Sequence, residues 1–374
     1  MGLLDYYRQF EDMTEEEVNR GLRERRAREK AMELERVSTC DLSRTEWPDF
    51  PDSEVVNASV FAARRGINDY PDRHATEART MLASRHGVDP SRVVLGNGAT
   101  ELLQATAGQL LSDGDELVTP WPSYPLYPLM AQRVRARPVA IDLSGAGRAD
   151  PEALVQAAGE RARALVLCNP NDPTGTYLES STVEWMLEEL PEQVHLLLDE
   201  AYIQYQDRED EDAAVRLTDR HPRLVVFRTF SKIYGLSGIR AGYAVGAAEA
   251  APILKAIAPV LGVNALTQAA VVQSLKIGDP EIDRRRKLVR GQRRRLQSAI
   301  HDLPVDAPET QANFAWLAAP GLTGVELAAR LERASVVVAP GGPLGDEDHV
   351  RVSIRGPAST ERILSALRKA FDGR

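Results

Sequence analysis

The sequence predicts an α/β protein in which a large domain holds a doubly wound, mostly parallel sheet of seven strands and a smaller α+β domain lies beside it. Seven short β-branched runs follow one another between residues 92 and 246, and helical patterns separate most of them. Runs such as LVLC (165–168) are apolar at every position, which is typical of parallel strands covered by helices on both faces. The two ends of the chain have a different pattern, and this predicts the second domain.

The strands predicted within the large domain, residues 50–275, follow one another in chain order. They are RVVLG (92–96), DELVTP (115–120), RPVAID (137–142), RALVLC (163–168), VHLLLD (194–199), LVVFRTF (224–230) and AGYAVG (241–246). Helical periodicity is clearest over residues 100–111 and 181–190. This alternation predicts helical crossovers between parallel strands.

Residues 14–36 predict a charged helix that begins with a capping box of Thr14 and Glu17. The C-terminal part, residues 276–374, begins with a long basic helix and continues with three candidate strands. These strands lie in QANFAWLAA, ASVVVAP and HVRVSIRG. We therefore predict a small C-terminal domain against which the segment 1–49 packs.

Composition excludes several classes of function. The net charge of the 374 residues is -9 at pH 7, which argues against nucleic acid as a partner. The two cysteines, Cys40 and Cys168, imply no disulfide framework and fit a reducing compartment. No apolar run approaches the roughly 18 residues of a membrane span, and the acidic N-terminus does not resemble a signal peptide. We expect a cytoplasmic protein with no nucleic-acid or membrane partner.

The basic helix carries seven arginines and a lysine over residues 284–295. Such a run is also found in RNA-binding proteins, but no aromatic residues interleave here for base stacking. We expect a solvent-exposed helix face.

A glycine-rich turn follows the first predicted strand in VVLGNGATELL. A strand, the residues Gly96 to Gly98 and then a helix form a cradle in which backbone N–H groups can face a phosphate. The dinucleotide pattern fails because Glu101 stands at its third glycine, and no nucleotide P-loop is present. Taken alone, the segment predicts either a phosphate site or a tight turn.

Three further segments lie at strand ends. NPNDPTG (169–175) is a proline-framed turn, and LLLDEAY (196–202) ends a buried strand with Asp199, where doubly wound sheets bind ligands; a helix N-cap is the alternative for this aspartate. RTFSKIYGLSGIRAGY (228–243) places Lys232 among small and hydroxylated residues, eight positions before Arg240.

A lysine for a Schiff base, an aspartate for a pyridinium nitrogen and a phosphate cradle are the groups that pyridoxal phosphate requires. The segments GNGATE, NPNDPTG, DEAY and SKIYGLSGIRAG, in this order, resemble those of fold type I aminotransferases of class I/II, most closely histidinol-phosphate aminotransferase-like enzymes. The resemblance extends from about residue 40 onward. It implies a pyridoxal-phosphate-dependent aminotransferase that moves an amino group between an amino acid or amine and a 2-oxo acid in a ping-pong cycle.

The resemblance also implies the role of each residue at the cofactor. Lys232 is the Schiff-base lysine and proton shuttle, and Asp199 keeps the ring nitrogen protonated. Tyr202 donates a hydrogen bond to the cofactor O3′, Tyr124 stacks on the ring, and Arg240 pairs with the phosphate. The other cofactor contacts that it implies are Gly98, Ala99, Thr100, Asp172, Thr229 and Ser231.

Four residues are assigned to substrate or partner. Tyr70 in NDYPD resembles the tyrosine that reaches the phosphate site of a neighbouring subunit, which implies a homodimer. Strand alternation in HVRVSIRG places Arg351 and Arg355 on one face. Arg351 resembles the arginine that binds the substrate α-carboxylate, and Arg355 is either a second anion contact or a surface arginine. Trp47 belongs to a segment that resembles the family's substrate loop.

Four positions depart from the family pattern. Ala339 stands where histidinol-phosphate enzymes carry an arginine for the substrate phosphate, which argues against histidinol phosphate as the substrate. Thr45 and Trp47 replace the asparagines of the substrate loop, and Trp47 predicts a narrower pocket or an aromatic or apolar substrate. Asp172 replaces an asparagine that donates to the cofactor phenolate.

Other chemistry on the same scaffold stays open at this point, because a fold does not settle a reaction type. The alternatives are decarboxylation and a specialised elimination or cyclisation of an amino acid. A cofactor-binding regulator without turnover is the alternative of another class, but no DNA-binding module accompanies the domain. No metal site is expected.

Overall fold

The structure is a computed structural model that describes residues 23–24 and 38–371. Of the helix predicted over residues 14–36, only Arg23 and Glu24 are described, and both are helical. Its predicted capping box of Thr14 and Glu17 lies outside the described residues.

A seven-stranded sheet forms the centre of the molecule. Its strands are β2 (Val93–Gly96), β3 (Glu116–Trp121), β4 (Arg137–Asp142), β5 (Ala162–Cys168), β6 (His195–Asp199), β7 (Leu224–Thr229) and β8 (Gly242–Gly246). They lie side by side in the order β2-β8-β7-β6-β5-β3-β4. Strand β8 is antiparallel to both of its neighbours, and the other pairings in the sheet are parallel. The predicted fold class is confirmed.

Helices cover both faces of this sheet, and the last three helices, α10 (Asp279–Ile300), α11 (Gly324–Glu332) and α12 (Pro357–Phe371), belong to the C-terminal part. The bounds of all the helices in the described part of the chain follow. They are α1 (Ser53–Gly66), α2 (Thr76–His86), α3 (Ala99–Leu110), α4 (Leu126–Arg133), α5 (Pro151–Ala157), α6 (Ser180–Glu189), α7 (Ala213–Leu217), α8 (Ala251–Ile257), α9 (Ala265–Ile277), α10 (Asp279–Ile300), α11 (Gly324–Glu332) and α12 (Pro357–Phe371). Alternate residues of one strand enter different cores: Leu196 and Leu198 pack in one apolar cluster, and Leu197 packs in another. Period-two burial on two faces explains why the central strands are apolar throughout.

The C-terminal part forms a three-stranded antiparallel sheet of β9 (Phe314–Ala318), β11 (Ala339–Pro340) and β12 (His349–Ser353). The predicted strand ASVVVAP is divided, because its first half is the separate strand β10 (Val336–Val337). Strand β10 pairs in parallel with β1 (Cys40–Asp41) from the other end of the chain. This pairing fits the predicted packing of the N-terminal segment with the small domain, whose exact bounds stay a prediction.

The prediction of a solvent-exposed basic helix is wrong for several arginines of α10. The side chains of Arg285 and Arg293 are 4% and 3% exposed. Arg285 donates to the carbonyl of Ile233 at 2.7 Å, and Arg293 donates to the carbonyl of Tyr205 at 3.1 Å. These arginines satisfy buried carbonyl groups in two loops of the large sheet, which otherwise would lack donors.

No helix in the described ranges, residues 23–24 and 38–371, is both long and apolar enough to cross a membrane. Both cysteines are free, and Cys168 is buried. The cytoplasmic location stays a prediction.

Candidate active site

A cavity of about 220 Å³ opens at the carboxyl ends of the central strands. Ligands bind at this edge in doubly wound sheets because the strand ends leave a crevice between loops there. Most of the residues predicted to contact the cofactor line it. They are Ala99, Thr100, Tyr124, Asp172, Asp199, Tyr202, Thr229, Ser231, Lys232 and Arg240.

Lys232 follows strand β7 and projects between the two parts of the chain. Its Nζ donates to Thr45 Oγ1 at 2.6 Å and lies 4.9 Å from the centre of the Tyr202 ring. Burial lowers the pKa of Lys232, and the nearby charge of Asp172 opposes this shift. A lowered pKa favours the neutral amine, which is the nucleophilic form.

Asp199 ends strand β6 at the opposite side of the cavity from the glycine-rich turn. Burial raises its pKa to about 6, although the hydroxyl of Tyr127 donates to Oδ2 at 2.9 Å and the backbone N–H of Ala201 donates to Oδ1 at 3.2 Å. Burial raises the carboxyl pKa because a low-dielectric site disfavours the ion. A cation bound beside Asp199 would offset this cost.

The glycine-rich turn and Arg240 form one end of the cavity. Gly98 has a φ of +91° and caps helix α3 without a side-chain hydrogen bond, so the first N–H groups of the helix are available to an anion. Arg240 Nη1 lies 3.4 Å from Ser231 Oγ, which also accepts a hydrogen bond from Thr229 at 3.0 Å. Hydroxyls, a guanidinium and a helix N-terminus are the donors that phosphate takes in proteins.

Gly98→Ala should weaken cofactor binding. A Cβ at this position would lie 2.5 Å from Arg240 Nη2, and the positive φ is strained for any side chain. Strain of this kind costs about 1–3 kcal/mol, so we expect an affinity about 5- to 150-fold lower in an absorbance titration of the cofactor-free protein. The matched control is Gly108→Ala in the same helix, where a Cβ meets nothing within 4 Å. Equal affinities of the two variants for the cofactor would contradict the assignment of the Gly98 turn as the phosphate site.

A continuous chain of hydrogen bonds leads from Lys232 to Arg351. Thr45 Oγ1 lies 3.1 Å from the Tyr202 hydroxyl, which donates to Asp172 Oδ2 at 2.8 Å. Asp172 Oδ1 accepts from Arg351 Nη1 at 2.6 Å. The reacting amine is thus linked to the predicted substrate arginine through three other side chains.

Five predicted residues are not part of the cavity lining. Gly98 and Arg351 lie directly behind it, next to Arg240 and Asp172, and the other three lie further away. Trp47 is buried against the guanidinium of Arg285, 4.7 Å from its ring centre, so it supports the loop that carries Thr45. Arg355 lies beyond the end of β12 and is 3.4 Å from the carbonyl of Arg44. Tyr70 is 84% exposed and contacts no part of this cavity within its own chain.

Two contacts at the site were not predicted from the sequence. The hydroxyl of Tyr127 donates to Asp199. Its position three residues after Tyr124, on helix α4, is the sequence feature that could have indicated this contact. From the sequence, Thr45 was recognised only as a departure from the family loop. Its hydrogen bond with Lys232 joins residues 187 positions apart, and no local sequence pattern predicts such a contact. Glu46, which lines the cavity, has a buried Oε2 without a hydrogen-bond partner in the described part of the chain.

The arrangement fits pyridoxal phosphate. Its phosphate would lie at the Gly98 cradle with Arg240, and its ring nitrogen would lie at Asp199. Asp199 is 4% exposed, and a pyridinium nitrogen is a cation that would pair with its carboxylate. Lys232 lines the same cavity. The donors therefore match each charged group of the cofactor.

Comparison with known proteins identifies the family. Residues 39–368 match the family Aminotransferase class I and II. The chain belongs to this family, and it is a pyridoxal-phosphate-dependent aminotransferase, as the sequence motifs predicted.

Two relatives support this assignment over most of their length. The aromatic amino acid aminotransferase of Corynebacterium glutamicum is 36% identical over 330 residues, which cover 88% of this chain and 93% of the relative. The aromatic amino acid aminotransferase of Cutibacterium acnes is 35% identical over 335 residues, which cover 89% and 92%.

A solved structure supports the fold. The histidinol-phosphate aminotransferase of Sinorhizobium meliloti in complex with pyridoxal-5′-phosphate is 24% identical, covers 92% of this chain and 93% of its own, and superposes with a TM-score of 0.79.

Proposed function

We propose that this aminotransferase takes its amino group from a donor with an aromatic side chain and passes it to a 2-oxo acid, in a ping-pong cycle. The observation that carries the proposal is the 36% identity, over 88% of the chain, to an aromatic amino acid aminotransferase. The cavity supports it, because the side chains of Tyr124 and Tyr202 line the space beside Lys232. Aromatic rings favour edge-on and offset contacts with one another.

Each residue has a separate task in this proposal. Pyridoxal phosphate, when bound, supplies the carbonyl carbon that takes the amino group and a ring that withdraws electrons from the α-carbon. Arg240, with the N–H groups that follow Gly98, binds the phosphate. Asp199 holds a proton on the ring nitrogen. Lys232 holds the cofactor covalently at rest and moves the proton at the substrate α-carbon.

The remaining side chains orient the reactants. Tyr124 covers the ring from one face, and burial raises its pKa, so it stays protonated and neutral at neutral pH. Tyr202 and Thr45 hold the amine of Lys232 in place through the hydrogen bonds described above. Arg351 binds the carboxylate of the 2-oxo acid. Ala339 pairs with Arg351 across strands β11 and β12, so this position offers no guanidinium to a substrate phosphate.

The test is a donor panel with the full-length, cofactor-loaded protein and 2-oxoglutarate as acceptor. Phenylalanine, tyrosine and tryptophan should give kcat/KM values at least about tenfold above those of aspartate and histidinol phosphate. Mass spectrometry follows the 2-oxo acid product, and carbon dioxide is measured in parallel. Carbon dioxide released in step with donor loss, or a preference for aspartate, would overturn the proposal.

We further propose that the working enzyme is a homodimer in which Tyr70 reaches the phosphate site of the second chain. Tyr70 is 84% exposed, and two apolar residues that precede it, Phe61 on helix α1 and Ile67 directly after this helix, are 60% and 74% exposed. Exposed apolar side chains grouped on one face often mark an interface with another chain. Such an interface would cover helix α1 and the turn that follows it.

Mixed dimers should show this sharing of residues. We expect Tyr70→Phe to lower cofactor affinity about tenfold, because a hydrogen bond to a charged group is worth about 1.5–3 kcal/mol. Lys232→Ala chains lack the amine, yet they carry an intact Tyr70. Coexpressed with Tyr70→Phe chains at limiting cofactor, they should therefore restore one complete site per mixed dimer. The control pairs Tyr70→Phe chains with chains that carry both changes; it should show no recovery, because such a mixed dimer keeps one Lys232 but has no Tyr70. A fully active monomer in sedimentation would contradict the proposal.

A further inference from the structure

The carboxylate of Asp172 forms an ion pair with Arg351, the arginine that is proposed to bind the substrate carboxylate. Asp172 is 5% exposed, and its Oδ1 accepts from Arg351 Nη1 at 2.6 Å. Its Oδ2 accepts from the Tyr202 hydroxyl at 2.8 Å. Both bonds involve an ionised group, and such bonds are about twice as strong as neutral ones. An asparagine at this position would offer hydrogen bonds without the charge.

Apart from Asp172, the guanidinium of Arg351 has few hydrogen-bond partners among the described residues. Its Nη2 lies 3.4 Å from the carbonyl of Ser43, and its Nε is buried without a hydrogen-bond partner in the described ranges. Burial lowers the pKa of Arg351, but the charge and hydrogen bond of Asp172, with Tyr202 and Glu46, together outweigh this, and the pKa lies above its ordinary value. The guanidinium is therefore charged and already neutralised by Asp172. A substrate carboxylate that binds it must either displace Asp172 or lie beside a like charge.

A second carboxylate faces the same space. Glu46 lines the cavity, and its Oε2 is buried without a hydrogen-bond partner among the residues that the structure describes. Lys232 Nζ donates to Thr45 Oγ1 and not to Glu46. Asp199 and Arg240 line the same cavity with opposite charges, so once Asp172 and Arg351 cancel each other, the charge left is that of Glu46. Such a site attracts an ammonium group and repels a carboxylate.

We propose that Asp172 determines the choice of amino donor: by pairing with Arg351 it weakens recognition of the α-carboxylate. The enzyme then uses a primary amine or amino alcohol at least as efficiently as the amino acid that has the same side chain. This inference rests on the proposed function for the aromatic side chain of the donor. It adds a specificity-determining residue at the other end of the substrate. The 2-oxo acid acceptor still binds Arg351, but only at higher concentration than an unpaired arginine would require.

The first experiment measures carboxylate binding alone. Isothermal calorimetry on the cofactor-loaded wild type and Asp172→Asn uses two unreactive carboxylates, propanoate and 3-phenylpropanoate. Both should bind at least about tenfold more tightly to the variant, because a like charge at the arginine has been removed. Glu46→Gln also removes one negative charge from the cavity but leaves the ion pair of Asp172 with Arg351 intact, so its gain in affinity should be smaller, less than about threefold. No gain in Asp172→Asn, or an equal gain in Glu46→Gln, would overturn the inference.

The second experiment compares two donors, and its decisive comparison uses the wild type alone. The wild type should use phenylalaninol with a kcat/KM at least equal to that for phenylalanine, and the ratio should shift at least about tenfold towards phenylalanine in Asp172→Asn. A wild type that prefers phenylalanine by about tenfold or more would overturn the inference.

The two probes separate this inference from the function on which it rests. If 3-phenylpropanoate binds no better than propanoate but both gain affinity in Asp172→Asn, the aromatic preference is wrong and the role of Asp172 stands. If 3-phenylpropanoate binds better in both proteins without any gain in the variant, the aromatic preference stands and the role of Asp172 is wrong.

Discussion

Lys232→Ala will lower the rate of amino-group transfer by about 10⁴-fold, because a positioned acid–base group of this kind contributes up to about that factor. The same change removes the covalent link to the cofactor. The fold should survive, since the amine makes a single side-chain hydrogen bond, to Thr45. Circular dichroism and the thermal midpoint of the cofactor-free protein test the fold, and single-turnover kinetics test the rate.

The matched control for this variant is Lys276→Ala. Lys276 is half exposed and pairs with Glu77 at the surface, and a surface pair contributes only about 0–1 kcal/mol. Its turnover should equal that of the wild type. Borohydride reduction of the loaded wild type followed by peptide mapping should find the cofactor on Lys232. A label on any other lysine would remove the basis of the assignment.

Asp199→Asn should change activity and stability in opposite directions. An ion pair at about 4 Å is worth on the order of 4 kcal/mol at an effective dielectric of about 20. Loss of the pair with the ring nitrogen should therefore slow turnover by about 10³-fold. The control is Asp142→Asn, since Asp142 ends strand β4 at the same edge of the sheet but is exposed.

The cofactor-free Asp199→Asn protein should be more stable than the wild type at neutral pH. The pKa of Asp199 rises from 3.8 to about 6 in the folded chain, so the folded state binds the proton more tightly and loses stability as pH rises from about 4 to about 6. In the wild type, the buried charge lowers the free energy of unfolding by about 3 kcal/mol above pH 6. Asp199→Asn removes this cost, but it also loses one hydrogen-bond acceptor, which lowers the free energy of unfolding of the variant by about 1 kcal/mol. Denaturant titrations should thus show a gain of about 2 kcal/mol at pH 7 and none below pH 4. An equal gain at both pH values would show that burial of the charge is not its cause.

The sequence alone predicted the sheet and most of the cavity lining, because both depend on local pattern. Strands buried on both faces must be apolar throughout, and the segments at their carboxyl ends meet at one edge. Lys232, Asp199 and Arg240 were found in this way, since each lies within a motif of fixed spacing. Such reasoning needs only the period of each element and the edge at which it ends.

The contacts that sequence reasoning missed join distant segments. The hydrogen bond from Lys232 to Thr45 and the ion pair of Asp172 with Arg351 span 187 and 179 positions. Charge pattern also misled us at helix α10, because a run of arginines has the same composition whether it faces water or buried carbonyls. Only the position of the loop that contains Tyr205 distinguishes the two.

The hydrogen bonds from helix α10 to the loops of the large sheet also have a consequence for the order in which the chain folds during synthesis. A chain leaves the ribosome N-terminus first, so the carbonyls of Tyr205 and Ile233 emerge before the guanidinium groups of Arg285 and Arg293 that bind them. Until then only water can donate to these carbonyls, and helix α10 replaces that water with guanidinium groups when it packs against the two loops. A nascent chain halted at residue 284 would hold Lys232 by the backbone hydrogen bonds of its own loop but would lack the donor that Arg285 supplies to the neighbouring residue.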